Sequence, residues 1–459
     1  MGDSQIDRRK LELPGIGGGL PLSLDMTRRD VLKIAGYSSL AAFLAACGVN
    51  STTTTNTGTG GSLTLGSNES DAGPKKGMEA IVAAFTSANG GTKVKLNTVD
   101  HGTFQDQISS YLQATPDDAF TWFSGHRMRF FAAQGLATPI DDVWDSVKSN
   151  FTGAFAESVK GDDGHFYGIP RDYYPWAVFY RKSVFAAHSY QAPTTWDAFM
   201  ALCAQMKKDG LTPISMGDKD GWPAQGTFDI INLRLNGYTF HVELCAGKQK
   251  WTDPRVTAVF KKWADLAKYY QAGLAGTTWQ QAADLVVRKQ AGMYVLGLFV
   301  SDQFKAAGQA DLDDLDFFPF PDLGTQYDAE KALDAPIDIW MMSKKSPTLS
   351  SDLGQAKAWM KFWAKGSTQL TEFQNAPGLI PTANDADTSS YTPLQKKAAQ
   401  IISSAKRITQ FFDRDSRPDF AGANGMQSFL LTYLQNPTAD TTSLQGKMQS
   451  FWDSLPPEK

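Results

Sequence analysis

The sequence predicts an α/β protein of two lobes, with parallel-rich sheets flanked by helices. Three observations carry this reading. The chain has 459 residues, too many for one ordinary domain and comfortable for two. From residue 62 to 135, strand-like and helical patterns alternate in β-α-β-α-β order, which implies a parallel sheet with helices on its faces. At residues 165–182 a Gly-Ile-Pro turn meets a polar break at Arg171 and Asp172, followed by Tyr173, Tyr174, Pro175 and Trp176. There the chain is read as leaving one lobe and entering the other, with aromatic side chains at the mouth of a cleft.

The N-terminus reads as an address. Arg28, Arg29 and Lys33 precede an apolar run from Ile34 to Ala46 that ends in small residues, the layout of a secretory signal. The run is too short to span a bilayer, which takes roughly 20 residues. Thr27 to Lys33 resembles a twin-arginine export signal. Leu44-Ala45-Ala46-Cys47 resembles a bacterial lipobox, which makes Cys47 the expected lipidated first residue of the mature chain. Met26 is an alternative start to Met1. Residues 48–61 are almost all Ser, Thr, Asn and Gly, so a flexible linker reaching on the order of 20 Å is expected.

In the first lobe Leu63-Thr64-Leu65 reads as a strand. Met78, Ile81, Val82 and Phe85 stripe a helix that ends at Asn89-Gly90. Val94, Leu96 and Thr98 alternate with polar residues, as in a half-buried strand. Phe104, Ile108, Tyr111 and Leu112 mark a second helix, and Ala119 to Phe123 a third strand. Ligands bind at the carboxyl ends of such strands, where Phe123, Ser124, Gly125, His126 and Arg127 fall.

In the second lobe Thr195 caps a helix and Asp253-Pro254 opens another. Thr278 to Gln290 forms a third, and Gly292 to Phe299 a buried strand. The chain then returns twice. Ala335 to Met342 is strand-like, and Leu353 to Trp363 helical. Gly378-Leu-Ile-Pro381 ends that excursion, and residues 392–459 are mainly helical around the charged aromatic loop 410–418.

Bulk numbers exclude several classes. Net charge is −4, so no basic field for nucleic acid exists. Three cysteines exclude a disulfide scaffold and leave open whether Cys203 and Cys245 pair or stay buried thiols. No Gly-x-Ser-x-Gly elbow, His-Glu-x-x-His or phosphate loop is present. The five histidines have no metal-ligand spacing, and neither metal nor cofactor is expected.

Four segments resemble the extracellular solute-binding proteins of bacterial carbohydrate importers, the family 1 group related to maltose-binding protein. They are Gln134 to Asp142; Ala177 to Lys182 with Pro193 to Phe199; Ala291 to Phe299; and Ala335 to Asp338. The resemblance implies a type II periplasmic-binding-protein fold with a three-segment hinge. Its first lobe takes residues 62–172 plus 334–381, and its second 173–333 plus 382–459. It also implies a monomeric receptor that captures a sugar or oligosaccharide between the lobes, closes by hinge bending and delivers it to membrane permease subunits. With Cys47 lipidated, the receptor is expected on the extracellular face of the cell membrane. His126 stands where maltose binders carry an acidic residue, which argues against maltose.

A sugar ring offers apolar C–H faces and a rim of hydroxyls, so its site needs flat aromatic platforms and planar hydrogen-bonding groups. The resemblance points to Phe123 through Arg127, Tyr173, Tyr174, Phe299, Asp338 and Trp340. Chemistry alone adds Trp222, Trp279, Gln410, Asp413, Arg414 and Asp415. Trp263, Trp359 and Trp363 sit on helical apolar stripes and read as core. The alternative function is a secreted glycoside hydrolase using the Asp413 and Asp415 pair.

Overall fold

The computed structural model describes residues 61–458 and, by backbone alone, Thr53–Thr55. The expected signal segment 1–47, with Cys47, lies outside the described residues.

Two sheets carry the architecture. The first has seven strands: β1 (Thr53–Thr55), β2 (Ser62–Ser67), β3 (Lys93–Thr98), β4 (Ala119–Phe123), β5 (Gly168–Tyr173), β11 (Ile337–Met342) and β12 (Ile380–Pro381), in the order β1-β3-β2-β4-β11-β5-β12. The second has four: β6 (Trp176–Arg181), β7 (Thr212–Ser215), β8 (Ala291–Gly297) and β9 (Leu315–Phe318), in the order β7-β8-β6-β9. A short ladder pairs β10 (Leu333–Asp334) with β13 (Ile408–Thr409).

Parallel pairing occurs between β2 and β3, β2 and β4, β7 and β8, and in the short ladder. Helical crossovers permit parallel pairing, whereas returning strands run antiparallel. Thus β11 enters between β4 and β5 and runs antiparallel to both.

Each sheet has its own core. Around the first lie residues from Leu63 to Ile169 and from Ile337 to Ala364, including Trp122, Trp340, Trp359 and Trp363. Around the second lie Tyr174 to Ala335 and Phe373 to Met448. The chain passes between sheets at Tyr174-Pro175, at Ala335-Pro336 and after β12.

One sequence expectation changes, one open question closes, and one element was not foreseen. Part of the expected linker, Thr53–Thr55, pairs antiparallel with β3. Three β-branched residues suit a strand, and they cover an edge otherwise left bare. Cys203 and Cys245 are free buried thiols. The helical stretch Pro223–Cys245, broken at Gly237, gave no periodic signal: it is buried on nearly every side, so it carries no polar stripe.

Candidate functional site

Between the sheets lies a cavity of ≈ 90 Å³. Its walls are aromatic and charged in alternation. From the first sheet come Glu69 and Asp71 after β2, His101 and Gln105 after β3, Phe123 ending β4, Arg171 on β5 and Asp338 opening β11. From the other side come Tyr174, Trp176, Trp222, Trp279, Phe299 and Asp302, with Leu379 and the segment carrying Phe411, Asp413 and Arg414.

Local sequence explains the placements. Trp222 precedes Pro223, which opens a helix as its first residue. Trp279 is set in a first turn by a reciprocal cap between Thr278 and Gln281. Phe299 lies in the tight turn that follows β8. These rings form one cluster: Trp279 meets Phe299 edge-on at 5.1 Å, and Tyr174 meets Phe299 edge-on at 5.2 Å. Trp222 lies 5.9 Å from Phe299 and 6.5 Å from Trp279. Trp176 stacks on Phe411 at 5.0 Å, and its Nε1 has no protein hydrogen-bond partner.

Two buried guanidinium groups organise the polar wall. Arg171 pairs with Glu69 and Asp172, each at 2.6 Å, and lies 3.9 Å from Glu372. Arg414 pairs with Asp338 at 2.6 Å, donates to the Tyr174 hydroxyl at 3.0 Å and covers the Phe123 ring at 4.1 Å. Burial alone would lower both arginines, but the carboxylates around them hold each above its ordinary value. Burial pushes Asp338 up, opposed by Arg414 and Arg171. It pushes Asp302 well up, opposed by the backbone N–H of Gly378. Such preset, desolvated donors and acceptors suit a neutral ligand rich in hydroxyls.

The lobes touch across the cavity. The His101 ring lies 6.5 Å from Trp222, Gln280 donates to Asp71 at 3.3 Å, and the Gly378 N–H donates to Asp302 at 3.2 Å. A Cβ on Gly378 would stand 2.3 Å from the Phe299 Cα, so glycine is what admits this approach.

Of the residues expected from sequence, Phe123, Tyr174, Trp222, Trp279, Phe299, Asp338, Asp413 and Arg414 line the cavity. Five others stand behind it. Gln410 accepts from the Ser124 hydroxyl at 2.8 Å and the Ile337 N–H at 3.0 Å, and its own N–H donates to Asp415 at 2.9 Å. Gly125 makes the turn after β4 with φ 73°. Arg127 donates to Gln105 at 2.8 Å and Asp413 at 3.0 Å.

Three are placed elsewhere. Trp340 is fully buried against Trp359 and Trp363. Because β11 runs antiparallel to β4, its start faces the cavity and its continuation runs away; Asp338 sits opposite Phe123, and Trp340 opposite Thr121, about 7 Å deeper. Tyr173 packs on Phe155, and its neighbour Tyr174 takes the cavity position. His126 turns outward to Glu458 at 2.8 Å, since successive helical residues point in directions about 100° apart. Of the Asp413 and Asp415 pair, only Asp413 lines the cavity; Asp415 accepts the Gln410 N–H behind the wall.

The sequence reading missed Glu69, Asp71, His101, Gln105, Arg171, Asp302, Leu379 and Phe411 as site residues; Trp176, which it set at the mouth of the cleft, lines the cavity as well. The strand-end rule, applied above only to β4, reaches Glu69 and Asp71 after β2 and His101 after β3 equally well.

Residues 70–367 match the family of bacterial extracellular solute-binding proteins. An uncharacterised ABC transporter extracellular-binding protein of Pyrococcus horikoshii is 26% identical over 342 residues, covering 73% of this chain and 74% of that one. A probable sugar-binding periplasmic protein of Rhizobium meliloti is 24% identical over 290 residues, 60% of this chain and 64% of its own. Among solved structures, the bacterial solute receptor AcbH superposes with a TM-score of 0.81 at 41% identity, covering 86% of this chain and 99% of its own. A chitin oligosaccharide binding protein shares the fold at TM-score 0.76, with 22% identity over 85% of this chain and 98% of its own. The chain belongs to the bacterial extracellular solute-binding protein family.

Proposed function

We propose that this chain is the sugar receptor of an ABC importer and that its cavity takes a single pyranose ring of galactose type. The observation that carries the reading is the aromatic cluster of Tyr174, Trp222, Trp279 and Phe299 facing Arg171, Asp338 and Arg414 in one cavity between touching lobes. Rings stack on the C–H faces of a sugar, and fixed planar groups bond its rim. The size of the space argues for one ring rather than a chain. AcbH, 41% identical, is described as having an exclusive preference for β-D-galactopyranose.

The receptor reading includes attachment to the membrane through a lipidated Cys47 after twin-arginine export, and delivery to permease subunits by a monomer. The spacing of Arg28-Arg29, the apolar run and Cys47 supports the attachment. Intact mass of the exported protein checks it: an N-terminal acylated Cys47 is expected, and retention of residues 1–46 would overturn it.

Isothermal titration with galactose, glucose and a galactose-containing disaccharide tests the ligand. Galactose is expected to bind in the micromolar range, about −8 kcal/mol, without being consumed. Tighter binding of the disaccharide, or of glucose, would overturn the single-ring galactose reading.

A further inference from the structure

We infer that the protein holds a divalent metal ion at a second site, where Asp229, His241 and Asp334 converge behind the sugar cavity. Asp229 and His241 both belong to Pro223–Cys245, twelve positions apart. On a straight helix they would stand about 18 Å apart along the axis. Instead His241 Nδ1 lies 3.9 Å from Asp229 Oδ1. The break at Gly237, φ 80° and ψ 167°, folds the stretch back on itself. A Cβ there would fall 2.3 Å from the Tyr327 ring, so the fold-back requires glycine both for its φ and for its space. Asp334 arrives from β10, where the chain crosses back between the sheets.

The three side chains are fully buried, and one donor atom from each lies within 4.8 Å of the others. One oxygen of each carboxyl is committed to the protein. Asp229 Oδ2 accepts the Phe412 N–H at 2.6 Å, and Asp334 Oδ1 accepts the Thr409 hydroxyl. The second oxygens, Asp229 Oδ1 and Asp334 Oδ2, have no hydrogen-bond partner. Buried unpaired carboxylate oxygens are costly unless a proton or a cation meets them. The Arg234 charge lies near enough to favour the Asp334 carboxylate, but its hydrogen bonds go to the backbone oxygens of Ala332 and Phe320. His241 is oriented by its far nitrogen, 3.7 Å from Cys245 Sγ, while the hydrogen-bond partner of Nδ1 is the Asn232 amide at 3.1 Å, a contact an ion would replace.

One imidazole nitrogen and two carboxylate oxygens make a donor set for a first-row divalent ion such as Zn²⁺ or Mn²⁺. With metal–donor bonds of about 2.0–2.2 Å, two ligands stand at most about 4.4 Å apart; the His241–Asp229 pair satisfies this at 3.9 Å, and the three donor atoms lie within 4.8 Å of one another, so a bound ion would draw them in slightly. The three ligands are scattered in sequence, so histidine spacing gave no sign of them. The ion would tie the broken helix to β10. Through Asp229 it would fix the backbone at Phe412, next to Asp413 and Arg414 of the sugar cavity.

The test uses the purified protein, stripped with EDTA and dialysed free of chelator. Metal content and calorimetric titration with Zn²⁺ and with Mn²⁺ are expected to show one equivalent of one of them per chain, with Tm raised by several degrees. Asp334→Asn, whose amide keeps an acceptor for Thr409, is expected to lose both effects. Galactose titration in parallel separates this site from the sugar reading. Two results would overturn the assignment: a stripped protein that takes up neither ion and whose Tm ignores both, or an Asp334→Asn variant that still binds one equivalent. Should that variant not fold, Co²⁺ absorption of the wild-type protein decides. Bands of an imidazole and carboxylate site support the assignment, and the spectrum of hexaaquo Co²⁺ alone overturns it.

Discussion

Replacing Trp222 with alanine and Trp340 with phenylalanine separates the site from the core. Trp222 is half-buried and touches the rings of Phe299, Trp279, Trp176 and His101, all of which line the cavity. An indole face covering one side of a sugar removes about 50–60 Å² of apolar surface from water, worth about 1.5 kcal/mol at 25 cal/mol per Å². Geometry-specific ring interactions add about 0.5–1.5 kcal/mol. Trp222→Ala is therefore expected to weaken galactose binding by about 2–3 kcal/mol, a Kd some 30- to 150-fold higher. Its cost in stability is expected to be only about 1 kcal/mol. Trp340 is fully buried and meets Trp359 edge-on at 5.1 Å and Trp363 at 5.8 Å. Trp340→Phe leaves a void in that cluster and is expected to cost about 1–3 kcal/mol in urea unfolding while leaving Kd within about twofold. Titration calorimetry and urea denaturation read both. A Trp222→Ala protein that binds within threefold of wild type would refute the cavity as the sugar site. A Trp340→Phe protein with weakened binding and unchanged stability would refute the placement of that tryptophan.

Arg414→Ala leaves Asp338 and Asp413 buried without that partner, so a loss of about 3–5 kcal/mol in stability is expected; Asp338→Asn in the same chain should recover part of it, and a double variant no more stable than the single would contradict the pairing. Asp218 is buried and accepts the Ala224 N–H at 2.9 Å; burial pushes its carboxyl up to about 7. Its folded value lies above the unfolded one, so its contribution to stability is full below about pH 4 and is lost as pH rises through about 7. That difference is on the order of 4 kcal/mol. Asp218→Asn should flatten the fall in stability between pH 4 and 7, and an unchanged pH profile would show that the group does not titrate there.

Much of the first lobe was legible because its helices show a clean 3.6-residue stripe and its strands stand where apolar residues cluster; Met78, Ile81, Val82 and Phe85, and Val94, Leu96 and Thr98, are buried as their patterns require. The crossing at Tyr174 was legible because turn, polar break and aromatics coincide in one short stretch. The cavity was half legible. Phe123 and Asp338 follow from strand ends and Trp222 and Trp279 from loop aromatics, but Arg171 hid inside a strand, where alternation alone reads a charged residue as solvent-facing. It is buried because Asp172 beside it neutralises it together with Glu69 and Glu372, and those two come from distant segments. Trp340 misled for the converse reason. An aromatic near a crossing looks accessible until strand direction is known, and direction is a property of pairing rather than of local pattern. The fold-back at Gly237 was invisible because one glycine in an apolar run carries no sign of which way the chain turns.

The segment from Ile408 to Asp415 is gripped from both sides: Gln410 by Ser124 and Ile337 of the first sheet, and Phe412 by Asp229 of the second core. The same segment supplies Arg414 to the cavity wall. The wall of the cavity and the tie between the two sheets thus draw on one short segment. If the cavity is the sugar site as proposed, substitutions at Gln410 or Phe412 are expected to shift both ligand affinity and the hold of this segment on the two sheets.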